Sequence, residues 1–451
     1  MKNALLLVSF LLLSTTLLAQ KQNNVWCFGL GCGINFNSGA PVSFSTCAMH
    51  QLEGSASISD SNGNLLFYTD GDTIWNANNT VMPNGSDPAY NLSTTQAALI
   101  VNSLSNKNQY YVFTAEAFDG EYGGKGFNYS IVDMTLQGGL GDVVANKKDK
   151  HLLDTVDERI AATEMAGDTG VWIVASTRDG KRVDAFKLTA SGVDTVPVVT
   201  TTGVLDGYYS GCMKISPDGS KLAMAEHSDE FDIFDFDRAT GTVSNGVYIV
   251  DAAAYDDAYG VEFSPSGKYL YGTSSVNAYL YQFDLTAGDI AASAVKLFNS
   301  TNQLGTMQLA PDGKIYVARY FSEPLGVINN PDEPGLNCNY SDTGFSLKSG
   351  WCQFGLPNIF WFEPSFTGIK QVDSYAGATV FPNPATNTCE LKTATSLYNE
   401  PYTLFDITGR PINKGWLNGT STTIALNNLA PGIYLLQTGN ITKHVFKVIK
   451  E

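Results

Sequence analysis

Two landmarks recur about every 48 residues through the centre of the chain, charged residues are few, and the C-terminal stretch switches to a different strand pattern. Together these predict an all-β protein: a seven-bladed β-propeller followed by a small C-terminal β-sandwich. Only 16% of the 451 residues are charged, 12% are aromatic and 43 are Gly. That mix suits many short strands joined by tight turns, and it excludes a helical or disordered chain.

The first landmark is strand, tight turn, strand. Lys214-Ile215-Ser216-Pro217-Asp218-Gly219 leads into Lys221-Leu222-Ala223-Met224-Ala225. Glu262-Phe263-Ser264-Pro265-Ser266-Gly267 and Gln308-Leu309-Ala310-Pro311-Asp312-Gly313 open the same way. Pro presets φ in such a turn and Gly permits positive φ. The turn glycines are 48 and 46 residues apart. The second landmark is a strand running into a turn that ends at Gly192, Gly241 or Gly288, spaced by 49 and 47 residues. Two landmarks with one period define a four-stranded meander, the size of a propeller blade. Divergent versions surround Ser57–Thr69 and Leu99–Phe113. The repeat region, Val25 to about Phe362, divides into seven units, with six or eight as alternatives because the first units carry insertions. A closed propeller has no free sheet edges. The late strand Leu356–Phe362 is therefore expected to share a blade with, or adjoin, the early strand Asn24–Phe28.

The expected organisation is an export signal at 1–19, the propeller at 20–364, a linker at 365–377 and the C-terminal domain at 378–451. Lys2, the apolar run Ala4–Leu13 and Leu17-Leu18-Ala19 before Gln20 form the signal pattern. That run is too short for a membrane span, and no transmembrane segment is expected elsewhere. The net charge of −17 is carried by the middle of the chain, at −20, while 378–451 carry +2. Such acidity argues against nucleic acid or an anionic membrane as partner. Seven cysteines favour disulfides in an exported protein. Spacing points to Cys338–Cys352 first and Cys32–Cys47 second, and the odd count leaves a buried thiol such as Cys212 free.

The C-terminal segment contains Phe381-Pro382-Asn383-Pro384, then Asp406-Ile407-Thr408-Gly409-Arg410, then Pro431-Gly432-Ile433-Tyr434, and ends in a basic strand with Lys447 and Lys450. In that order these residues resemble the type A C-terminal sorting domain of the type IX secretion system of Bacteroidota. The resemblance implies passage across the outer membrane, the secretion machinery as a partner, and release or anchoring at the cell surface. Leu52–Gly71, Gln308–Ala318 and Gly355-Leu356-Pro357-Asn358 are similar to Bacteroidota surface propellers, and more distantly to lactonase-like and quinoprotein-like propellers. That second resemblance implies a fold and leaves the activity open.

Catalytic signatures are sparse. HExxH, GxSxG, P-loop and EF-hand spacings are absent, and the four histidines are His50, His151, His227 and His444. Period-2 alternation places Ile215, Phe263 and Leu309 between blades and turns Lys214, Glu262 and Gln308 toward a central channel. Glu53 and Glu164 occupy related places in earlier units. Such oxygens could hold Ca²⁺ or Mg²⁺, with Glu53 and Glu262 as candidate ligands, although Lys214 opposes a cation there. A polar, water-filled channel is the competing reading. Lactonase-like propellers use a channel metal as Lewis acid, so the resemblance allows a hydrolase. The acidic run Asp229–Asp237 reads as a strand with an exposed polar face, and Asp256-Asp257 and Asp332-Glu333 as loops. Tyr208, Tyr209 and Tyr255 could stack on sugars. The expected role is binding or adhesion toward a protein or glycan ligand, with an enzyme as the alternative.

Overall fold

The computed structural model describes residues 21–86, 93–117, 125–178, 180–202, 210–226, 230–250, 257–360, 378–393, 400–406, 411–438 and 444–451. The chain divides into two compact units, 1–364 and 365–451. Among the described residues no helix is long and apolar enough to cross a membrane.

The first unit is a β-propeller of small antiparallel meanders, seven sheets among the described residues. Their first strands are Val25–Phe28, Ala56–Ser59, Ala98–Asn102, Ile160–Glu164, Met213–Ile215, Ala258–Phe263 and Leu304–Leu309. The turns form as their residues dictate. Gly219, Gly267 and Gly313 have φ of 74°, 71° and 77°, and each donates its N–H to the carbonyl three residues back. An L side chain at these positions would strain the backbone.

Each sheet is apolar on both faces because it lies between two neighbours. Phe231 and Ile233 of the fifth sheet pack on Val261 and Phe283 of the sixth. Trp172 and Val174 of the fourth pack on Leu222 and Phe234 of the fifth. The ring closes where Trp26, Phe28 and Ile34 of the first sheet meet Tyr316, Leu325 and Val327 of the seventh. The Trp26 and Tyr316 rings cross edge to face, 5.7 Å apart. Leu356 joins this cluster, so the late segment does adjoin the early strand. It is not a regular strand, however. Phe354 N–H donates to Leu52 O and Asn358 N–H to Ser55 O, while Thr306 N–H donates to Phe354 O. The segment is thus wedged between the first strand of the seventh sheet and the entry to the second. Residues 361 and 362 of the expected strand lie outside the described residues.

The disulfide expectations need correction. The structure joins Cys27 to Cys47 and leaves Cys32, Cys212, Cys338, Cys352 and Cys389 as buried thiols. Strand alternation explains the outcome. Phe28 pairs with Cys32 across the first hairpin, and both face the seventh sheet. Cys27 points the other way and meets Cys47 beneath the second sheet. Cys338 lies in the core between the sixth and seventh sheets, whereas Cys352 belongs to the closing cluster. Sequence proximity had suggested a bond that the packing separates.

The acidic strand Glu230–Asp237 also departs from expectation. Asp237 is exposed and Asp235 half-buried, but Asp232 is fully buried. Asp229 and Asp256 lie outside the described residues. Asp332, in a loop as expected, accepts hydrogen bonds from the Ser266 N–H and hydroxyl.

The second unit is a β-sandwich. One sheet contains Thr379–Phe381, Thr388–Lys392 and Ser421–Ala425. The other contains Pro411–Trp416, Pro401–Asp406, Gly432–Thr438 and His444–Lys450. Leu391, Leu404, Ile424, Leu436 and Val448 fill its core.

Candidate functional site

The repeated position before each turn assembles one polar group. Lys214 Nζ donates to Gln308 Oε1 at 2.6 Å and lies 3.4 Å from Glu262 Oε2. Glu262 also accepts the N–H of Phe263 and of Leu309, both at 3.0 Å. These three side chains line a cavity of about 510 Å³, a volume in the small-ligand range. Glu164 stands at the same cavity and pairs with Arg238 at 3.6 Å. Ile359, Phe360, Pro217 and Pro311 supply apolar wall. Each carboxylate here already has a protein partner. The same period that placed these residues in register also gives them hydrogen bonds to one another.

Glu53 does not line this cavity. It is half-buried beside Glu158, in a group built from the segments that lead into the second, third and fourth sheets. Thr95 Oγ1 lies 2.8 Å from Glu158 Oε2 and 3.3 Å from Glu53 Oε2. One hydroxyl has one proton, so it serves one carboxyl at a time. Glu158 also accepts the Thr95 N–H at 2.9 Å. Burial, and next the Glu158 charge, push the Glu53 carboxyl well above the usual range. The neighbouring Tyr259 hydroxyl is raised too, by burial first and then by Glu53. Two neighbouring carboxyls, one of them pushed up by burial and by the other's charge, are an arrangement that can serve acid–base work. Nothing in the sequence announced it, because Glu158, Thr95 and Tyr259 lie outside the repeated turn motif.

A folded-state pKa raised by burial means stability present at acid pH and lost as pH rises through the folded value. Glu53→Gln keeps the shape and removes the ionisation. The variant is expected to melt a few degrees above the parent at pH 7.5 and to lose that advantage near pH 4.5. Thermal melts across pH check this; equal melting at both pH values would contradict the raised carboxyl.

Gln96 bridges the sheets nearby. Its side-chain carbonyl accepts the N–H of Met213 at 2.7 Å and of Ile160 at 3.3 Å, and its amide donates to Met213 O at 3.1 Å. Asn358 donates to Ile160 O at 3.1 Å. A third buried group is ionic. The fully buried Arg159 pairs with Asp157 at 2.5 Å and with Glu226, and Asp232 lies within its electrostatic reach. Burial pushes Asp157 up to about 7 despite the guanidinium.

Glu53 and Glu262, the candidate metal ligands, have different partners and do not share a site. Among the described residues no group of three or more His, Cys, Asp or Glu side chains is arranged to hold a metal ion. His50 is exposed and its backbone bridges Leu30. His151 pairs with Asp154 at 2.9 Å on the surface. His227, Tyr208, Tyr209 and Tyr255 lie outside the described residues, as does the side chain of His444.

In the second unit Asn383 explains the Pro382-Asn383-Pro384 opening. Its side chain donates to Lys447 O and accepts the Ile449 N–H, both at 2.7 Å, so it stitches the opening to the basic last strand. In that sheet Asp406 pairs with Tyr434, and Gly432 with Lys450. The Tyr434 hydroxyl donates to Ala430 O at 2.8 Å. Gly409 and Arg410 lie outside the described residues.

Residues 379–451 match the family model described as a secretion system C-terminal sorting domain. The C-terminal unit is a type IX secretion sorting domain. This sorting domain makes the type IX machinery a partner of the chain and sends it to the cell surface or extracellular space. No curated protein matches the chain by sequence. Among solved structures, a putative 6-phosphogluconolactonase from Bacteroides fragilis is 12% identical, with 83% of this chain and 97% of that chain covered and a TM-score of 0.41. The periplasmic gluconolactonase of Pseudomonas aeruginosa is 12% identical over 80% and 94%, with a TM-score of 0.35. PorZ of Porphyromonas gingivalis, a surface component of the type IX secretion system, is 11% identical over 93% and 68%, with a TM-score of 0.32. These are likenesses of fold.

Proposed function

We propose that the chain is a surface or secreted binding module: a signal at 1–19, a seven-bladed propeller at 20–364 with one blade per sheet, a linker at 365–377, and the sorting domain at 378–451. The propeller binds an extracellular glycan or protein. The observation that carries this reading is the state of the central polar residues. Lys214, Glu262 and Gln308 satisfy one another around a ligand-sized cavity, an arrangement that suits recognition better than Lewis-acid chemistry. Ca²⁺ or Mg²⁺ would have to displace Lys214 to use Glu262. The test is binding of the exported chain to printed glycans and to a panel of envelope and matrix proteins. Saturable binding to either class upholds the reading; none to both overturns it.

The second reading, a lactonase-like hydrolase, draws on the Glu53–Glu158 pair. Turnover of aldonolactones that is abolished in Glu53→Gln would favour it. A thermal shift with Ca²⁺ or Mg²⁺ would add a cofactor.

A further inference from the structure

We propose that Cys32 and Cys352 are joined in the exported chain as a second disulfide, which closes the propeller ring covalently.

Ring closure is where this fold has the least backbone pairing. Each of the seven sheets is built from one continuous stretch of chain. Among the described residues no strand from the late end enters the first sheet, which stops at three strands. The late segment is fastened to the early ones by isolated bridges, Leu30 with Trp351 and Ser55 with Pro357. At the first of these the Leu30 N–H donates to Trp351 O at 3.0 Å.

Two thiols lie in that joint. Cys32 opens the second strand of the first sheet, and Cys352 follows Trp351 in the closing segment. Both are fully buried, and both belong to the cluster that closes the ring. The Cys32 sulfur is 3.6 Å from Trp351 O, in the peptide group that leads into Cys352. A Cβ placed at Gly29 would touch both residues, 3.2 Å from Cys32 Sγ and 3.3 Å from Cys352 Cα. One placed at Gly350 would overlap Cys32 Cβ at 2.3 Å. Glycine on each side thus lets the two cysteine-bearing backbones approach closely, and a disulfide needs such an approach.

Of the five thiols, only this pair shares a core. Cys212 lies between the fifth and sixth sheets, Cys338 between the sixth and seventh, and Cys389 in the C-terminal unit. The present partners of the two sulfurs are weak. Cys32 S–H donates to Phe28 O and Cys352 S–H to Gln353 O, both at 3.1 Å. Exchanging such contacts for a bond costs little.

The oxidant is a disulfide-bearing thiol oxidase of the periplasm, which an exported chain crosses. One cysteine of the unclosed chain attacks the oxidase disulfide as a thiolate and forms a mixed disulfide; the other then displaces the oxidase thiol. One S–S bond forms in the chain, its two thiols lose two protons, and two electrons reduce the oxidase disulfide to a dithiol. The reaction belongs to the folding chain. Once the ring closes, burial pushes the Cys32 thiol up and the Cys352 thiol up to about 12, so little thiolate is left for exchange.

The test is a peptide map of the exported parent chain, denatured with a thiol-blocking reagent and digested with chymotrypsin without reduction. Cleavage at Phe28 or Leu30 separates Cys27 from Cys32, so the two bonds are read independently. A Cys32–Cys352 peptide is expected beside the Cys27–Cys47 one, and reduction should split it. Recovery of Cys32 and Cys352 as blocked thiols, or bonded elsewhere, overturns the proposal. The bond closes a loop of about 320 residues, and a long loop is where cross-linking most restricts the unfolded chain. Cys32→Ala and Cys352→Ala should each lower the melting temperature by about 10 °C, and the double variant by about the same amount. Two separate packing losses would add, whereas one bond is lost only once. Shifts that add in the double variant, or no shift at all, overturn the closing role.

Discussion

A chain truncated before Ala378 is expected to stay in the periplasm, with none reaching the cell surface or medium. The sorting domain is the export address, and Asn383 ties its opening to the last strand of its four-stranded sheet. Protease treatment of intact cells and immunoblotting of the medium read the result. Asn383→Ala should give an intermediate outcome. It removes two hydrogen bonds that tie the opening to the last strand, about 1 kcal/mol each. Surface exposure of the truncated propeller would refute the assignment.

Arg159→Met is the second large effect. Arg159 is the buried cation facing Asp157 and Glu226, with Asp232 also near. Its loss leaves buried carboxylates uncompensated, which costs about 3–5 kcal/mol. The melting temperature should fall by at least several degrees. The deficit should depend on pH. Asp157 already holds its proton up to about 7, so its stabilising contribution is complete in acid and fades as pH rises through that value. Without the guanidinium the carboxyls hold protons to higher pH still. The variant should therefore be closer to the parent at pH 5 than at pH 8, and Glu226→Gln should restore part of the loss. An equal deficit at both pH values would mean that lost packing, not charge, is responsible.

Much of this molecule was legible in its residues, and the exceptions share a cause. The turns at Gly219, Gly267 and Gly313 were readable because a positive φ is a local demand on one residue. Lys214, Glu262 and Gln308 were found because they occupy one register of a repeat, and equivalent positions in a ring converge. Glu158, Thr95 and Tyr259 escaped because no period links them; they meet only when three sheets are set around one axis. Trp351 and Phe321 are likewise neighbours only through a bridge between loops thirty residues apart. Asp232 looked like one more exposed acid of an alternating strand, yet it is fully buried, within electrostatic reach of Glu226 and Arg159.

By itself the sequence determined the β class, the period near 48 residues and the sorting motif, since propensity, turn chemistry and local order act over a few residues. Only the tertiary structure decided which cysteines bond and which buried acids confront one another. Those outcomes depend on which face of a strand meets which neighbour, and a contact between distant segments leaves no trace in either segment alone.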